Sequence, residues 1–299
     1  MTKRRSGWAR LRHYRGYLFV LPLLAVVASV IAYPVLYNVR VALYDYHPVR
    51  RTWTFVGLEN FAYLFSSPEF WSSVQITLVW VIGNVVLQFV VGLMVALGLH
   101  KIRLARGFLG GLFLVPWISS FVIVAIMWLW MYHPQLGVLN DILLRLQLVE
   151  RPIAWLALPN LALLSLIIAN SWKFFPLVMI TLLAGLQTIP KEHYEVAAIE
   201  GASPLQTLFR VILPSMLPSV SAAVIIAAIW AFNAFTIPFI MTRGGPIRTT
   251  EVLGLYIYKQ AFTSFDFGAA SAASLFLFVM ILVFISIYLK LVRDDGAAS

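Results

Sequence analysis

Cysteine is absent from the 299 residues, which removes disulfides, thiolate metal sites and cysteine nucleophiles from the possible chemistry. Charge is nearly as scarce. Asp, Glu, Lys and Arg make up 11% of the chain and hydrophobic residues 61%, whereas a soluble domain carries about 25% charged residues. That balance marks an integral membrane protein. The twelve acidic residues all lie outside the long apolar runs, so no carboxylate is placed within the bilayer to serve as a proton or cation site. No G-x-x-x-x-G-K-[ST] pattern occurs, so the chain has no nucleotide-binding loop of its own. Its histidines, His13, His47, His100, His133 and His193, are scattered and gather into no metal site, and no serine or carboxylate pair has the spacing of hydrolytic chemistry. The net charge of +10 raises nucleic acid as a partner. The basic residues, however, flank apolar runs as they do in membrane proteins, and no basic stripe interleaved with aromatics stands apart from them.

What the sequence has in abundance is long apolar runs. They lie at about 17–39, 74–99, 108–131, 161–186, 215–241 and 269–291, each long enough for a bilayer that roughly 20 helical residues cross. The fold class that follows is an all-α integral membrane protein with six transmembrane helices, its membrane domain covering 17–291. The first run exceeds the ~7 to 15 residues of a signal-peptide core and reads as a retained span. An even number of spans puts both termini on one side. Lys and Arg are more than twice as dense in the segments 1–16, 100–107, 187–214 and 292–299 as in the intervening loops, largely through the basic tail 1–16. The positive-inside rule therefore places both termini, and the loop 187–214, in the cytoplasm.

That loop contains a polar island, PKEHYEVAAIEGASPLQTLFRVILP, between two apolar runs. It reads as two short helices: one ending at Gly201, which enters a left-handed cap without steric cost, and one starting from Ser203, Pro204 and Gln206 as N-cap, first turn and capping box. Leu205, Leu208, Phe209 and Ile212 follow helical spacing and predict one buried stripe. Ala197 and Ala198 offer a flat surface for close approach, flanked by Glu195 and Glu200. Within the spans, polarity is concentrated in ANSWKFFP, where Asn170 and Lys173 precede Pro176, and Lys173 is the only ionisable residue well inside any run. It must face a bundle interior or a watery cavity, or snorkel outward, and its place near the middle of the run makes snorkelling the weaker option. Asn233 in the fifth run, with Ser119 and Ser120 in the third, completes the polar set.

The stretch YEVAAIEGASPLQTLFRVILP resembles the EAA loop of permease subunits of bacterial ATP-binding-cassette importers. Glu195, Ala197, Gly201, Ala202, Phe209, Leu213 and Pro214 match its pattern, with Val196 in place of the first alanine and Glu200 where Asp is usual. VGLENF, LVPW, MWLWMY, HPQLGVLN, AGLQTIP, GGP and YIYKQAF, in order, are similar to the carbohydrate branch of maltose and glycerol-phosphate type. The resemblance implies a type I importer permease: a non-catalytic subunit forming half of a sugar pathway in the bacterial inner membrane by alternating access. It further implies a second, similar permease as heterodimer partner, two ATPase subunits that hold ATP and Mg, and an extracytoplasmic solute-binding protein. No cofactor is expected on this chain. Coupling to the ATPase is expected from Tyr194, Glu195, Ala197, Ala198, Glu200, Gly201 and Ala202. The substrate pathway is expected to use Asn170, Lys173, Phe174 and Leu177, matched through N-x-W-x-x-x-P, and Asn233, placed by counting back from GGP. The alternatives are an ion-coupled secondary carrier and a membrane-embedded enzyme, for which intramembrane acids or a clustered catalytic set are missing.

Overall fold

The computed structural model describes residues 20–102 and 104–297. The basic tail 1–16, the start of the first span at 17–19 and the last two residues of the C-terminal tail lie outside them. The chain divides into two units, residues 1–66 with 260–276 and residues 67–259 with 277–299.

In the smaller unit, helix α1 (Val20–Ala42) carries a π-helical turn over Ala28–Ala32. It is followed by the only strands among the described residues, β1 (Tyr44–His47) and β2 (Thr52–Phe55), which pair antiparallel with Tyr44 opposite Phe55 and His47 opposite Thr52. Alternation puts aromatics on one face: the Tyr44 ring lies 5.1 Å from Trp53 and 5.4 Å from Phe55. The VGLENF segment becomes a turn and the short helix α2 (Glu59–Ser66), whose Asn60 amide donates to the carbonyls of Ala42 and Tyr44, both at 2.9 Å.

The larger unit is built on two long helices, α3 (Pro68–Lys101) and α7 (Pro159–Thr188). Ser67 caps α3 by accepting from the Phe70 amide, with Pro68 at the first helical position. The two helices approach closely. A Cβ placed on Gly92 would stand 2.9 Å from Val178 Cγ1 and 3.1 Å from the Met179 backbone nitrogen, the small-residue contact by which helices pack in lipid. Trp80, Leu166, Ala169, Met179 and Leu182 are buried along this seam. The Trp80 indole donates to the Ala231 carbonyl at 3.0 Å, tying α3 to the end of another helix, α10 (Leu217–Phe232).

The third expected span is two helices, α4 (Arg106–Ile118) and α5 (Phe121–Met131), bent by 91°. Pro116 removes an amide one turn before the bend, and Ser119 and Ser120 are extended, with Ser120 capping α5 through the Val122 amide. After α6 (Val138–Arg145) and α7 come α8 (Lys191–Ile199) and α9 (Pro204–Ser215), which meets α10 at 82°. The fifth expected span, 215–241, is also not one helix: α10 ends at Phe232, and α11 (Thr236–Met241) begins after a turn at Asn233 and Ala234. Helices α12 (Leu253–Phe262) and α13 (Phe267–Ala297) complete the chain. Among the described residues, four helices are long and apolar enough to cross a membrane, and six when each bent pair counts as one span.

Candidate functional site

Two places hold the residues singled out by the sequence. The first is the island. Helix α8 ends in a Schellman motif: Gly201 has φ +70°, its amide donates to the Ala198 carbonyl at 3.2 Å, and the Ala202 amide donates to Ala197 at 2.9 Å. One residue later the capping box is complete, Ser203 Oγ accepting from the Gln206 amide at 3.3 Å and Gln206 Oε1 from the Ser203 amide at 2.8 Å.

Of the expected coupling residues, Ala197 is buried, Tyr194 and Ala202 are half-buried, and Glu195, Ala198, Glu200 and Gly201 are exposed. The Tyr194 ring stacks on His100 at the end of α3, with centroids 6.4 Å apart. Its hydroxyl is buried without a partner, and burial pushes its pKa up. Tyr194 therefore turns toward its own chain while the two glutamates face outward. The stripe expected to be buried on α9 is only partly so. Ile212 is buried, but Leu205 is 68% and Phe209 64% exposed, because none of the described residues covers that end of the helix. Ile199, at the tip of α8, is 85% exposed.

The second place is a cavity of about 190 Å³ where α10 gives way to α11, lined by Phe121, Asn170, Phe174, Trp230 and residues 233–238. Three expected pathway residues, Asn170, Phe174 and Asn233, thus share one wall, whereas Lys173 and Leu177 do not line it. Rings crowd the space: Phe174 lies 5.2 Å from Trp230 and 5.6 Å from Phe121. No charged side chain is in the lining.

Behind Asn170 stands a buried polar cluster that the sequence reading missed. Asn84 and Gln88 on α3 are fully buried, and Asn84 Oδ1 accepts from Asn170 Nδ2 at 2.6 Å, Ser171 Oγ at 3.2 Å and Gln88 Nε2 at 3.2 Å. Asn84 Nδ2 donates to the Trp80 carbonyl at 2.8 Å. With its Nδ2 engaged by Asn84, Asn170 retains its amide oxygen as an acceptor. The available signal was the spacing of Asn84 and Gln88, four residues apart on one helix face. On the adjoining loop, Glu251 is buried between Arg248, at 2.5 Å, and Lys259. Among the described residues no group of His, Asp and Glu has the arrangement of a metal site.

Comparisons with known proteins agree with one another. The sequence pattern of a family described as "Binding-protein-dependent transport system inner membrane component" matches residues 59–294. The trehalose/maltose transport system permease protein MalF of Thermococcus litoralis is 36% identical over 278 residues, covering 93% of both chains. The xylose/arabinose import permease protein XacH of Haloferax volcanii is 32% identical over 294 residues, covering 97% of this chain and 90% of that one. Among solved structures, a chain of a bacterial ABC transporter involved in the import of the acidic polysaccharide alginate superposes with a TM-score of 0.80 at 23% identity, covering 96% of this chain and 98% of that one.

Proposed function

The chain belongs to the family of binding-protein-dependent transport system inner membrane components, and from that premise we propose that it carries a carbohydrate across a bacterial inner membrane. As a member it is an integral membrane permease, a non-catalytic translocation subunit of an ATP-driven importer whose ATPase is a separate chain. The sugar reading is carried by the cavity. Aromatic rings suit the apolar C–H faces of a sugar ring, and amides at Asn170 and Asn233 suit its hydroxyls. The relatives named for trehalose, maltose, xylose and arabinose transport support the same class.

At about 190 Å³ the cavity is smaller than the roughly 300–1,000 Å³ of a complete small-molecule site. The rest of the wall is assigned to a second, similar permease in a heterodimer. Both termini and the island face the cytoplasm, where α8 engages one of two ATPase subunits that bind ATP and Mg. Glu195, Ala198, Glu200 and the tip at Ile199 form the outward contact, while Tyr194 and Ala197 fix α8 to the permease. A solute-binding protein delivers the sugar from outside. Asn170, Phe174 and Asn233 form the pathway, with Lys173 and Leu177 behind its wall.

The assay is the reconstituted importer with its partner chains, supplied with sugar-loaded binding protein. Asn233→Ala should lower uptake without altering assembly, and Gly201→Asp should abolish substrate-stimulated ATP hydrolysis with insertion intact. Wild-type uptake in the first removes the pathway assignment, and normal coupling in the second removes the docking assignment.

A further inference from the structure

Lys173 is 2% exposed, and its hydrogen-bond partners are all on the broken third span. Its Nζ donates to the carbonyls of Ser119 at 2.5 Å, Trp117 at 3.1 Å and Pro116 at 3.5 Å. It also stands 4.5 Å from the centroid of Phe121, the first residue of α5, and 5.7 Å from that of Phe174. No carboxylate is among its partners. An ammonium has three donors, and three carbonyls receive them.

The carbonyls in question are those that a helix cannot satisfy for itself. The Ser119 amide still donates to the Val115 carbonyl, but beyond it the chain turns through 91° at Ser119 and Ser120, and the carbonyls of Pro116, Trp117 and Ser119 receive no amide from a following helical turn. In hydrocarbon such groups have no water to turn to, and the C-terminal end of a helix also carries partial negative charge. A cation delivered from α7 answers both needs. We propose that Lys173 is a positioning residue: its ammonium holds the break between α4 and α5 and thereby sets Phe121 on the cavity wall, leaving the cavity itself without charge. The role goes beyond the sugar reading, since the break is held in the same way whatever solute crosses.

The test uses the natural absence of cysteine. Cysteines replace the exposed Phe108 and Trp130, one on each arm, and carry spin labels in the full chain assembled with its partner subunits in lipid nanodiscs, with neither solute nor nucleotide. At 1.5 Å rise per residue, an unbroken helix separates these backbone positions by about 33 Å, and a right-angle bend by about 23 Å. With Lys173 present the short distance is expected. Lys173→Met should move the distribution outward by several ångströms or broaden it toward the long limit, and Lys173→Arg, which keeps the donors, should retain the short distance. Should Lys173→Met fail to assemble, Lys173→Gln, which loses the charge and one of the three donors, takes its place with the same outward shift expected. An unchanged short distance in the neutral variant overturns the proposal, above all if uptake then fails through a raised KM alone, which would assign Lys173 to the solute.

Discussion

Asn84→Leu is the sharpest probe of the polar cluster behind the cavity. The substitution keeps the side chain's approximate volume, so the principal loss is one amide that accepts from Asn170, Ser171 and Gln88 and donates to Trp80. The Ser171 hydroxyl can turn to a carbonyl one turn back on its own helix, which leaves the amides of Asn170 and Gln88 stranded. Hydrogen bonds within membrane proteins are worth about 0.6 kcal/mol on average and up to about 1.7, so two of them give a loss of about 1–3 kcal/mol. The measurement is the unfolding midpoint of the detergent-solubilised chain, followed through its ten tryptophans. Asn170→Leu and the double variant close a mutant cycle. A coupling of about 0.5–1.5 kcal/mol is expected between residues that share one bond network. If the two losses simply add, the 2.6 Å contact has no energetic meaning and the cluster does not orient Asn170.

Three further outcomes follow from other contacts. Gly92→Val drives a methyl group into Val178 and the Met179 backbone, and should destabilise the α3–α7 seam by about 1–3 kcal/mol in the same unfolding assay; wild-type stability would mean that the helices are not in close contact there. Tyr194→Phe removes a buried hydroxyl that has no partner, so stability should be unchanged or rise by up to about 1–3 kcal/mol, with ATPase coupling retained; a clear loss of either contradicts the inward placement of this ring. Glu251→Gln leaves Arg248 and Lys259 facing a neutral amide. Its cost should fall below the roughly 3–5 kcal/mol of a fully buried pair, because the two cations remain 42% and 37% exposed, and salt should narrow the difference from wild type.

What was legible in the sequence was what short-range chemistry decides. Gly201 and the Ser203–Gln206 pair announced their caps because a cap needs only a few neighbouring residues. The long apolar runs announced helices for the same reason. The breaks were harder. Pro116 followed by Ser119 and Ser120 is a turn signal, but within an apolar run it reads equally as a tolerated proline with serines bonded to their own helix. What stabilises the break is Lys173, more than fifty positions away. The same distance hid Asn84, whose partners Asn170 and Ser171 lie on another helix. The α9 stripe failed in the opposite direction. Periodicity marks which residues share a face, whereas only the packing shows whether anything covers it, and Leu205 and Phe209 are left bare.

The back-to-back caps of the island have a mechanical consequence. Between Ile199 and Pro204 every linking residue is engaged: the Glu200, Gly201 and Ala202 amides bond back into α8, and Ser203 is locked to α9 by two bonds. The joint is therefore a stiff crank rather than a slack tether. A force applied at the tip of α8 reaches α9 with little lost motion. The first change of direction lies further along, at Met216, where α9 and α10 meet at 82° and a push delivered along one helix must become a turn of the other.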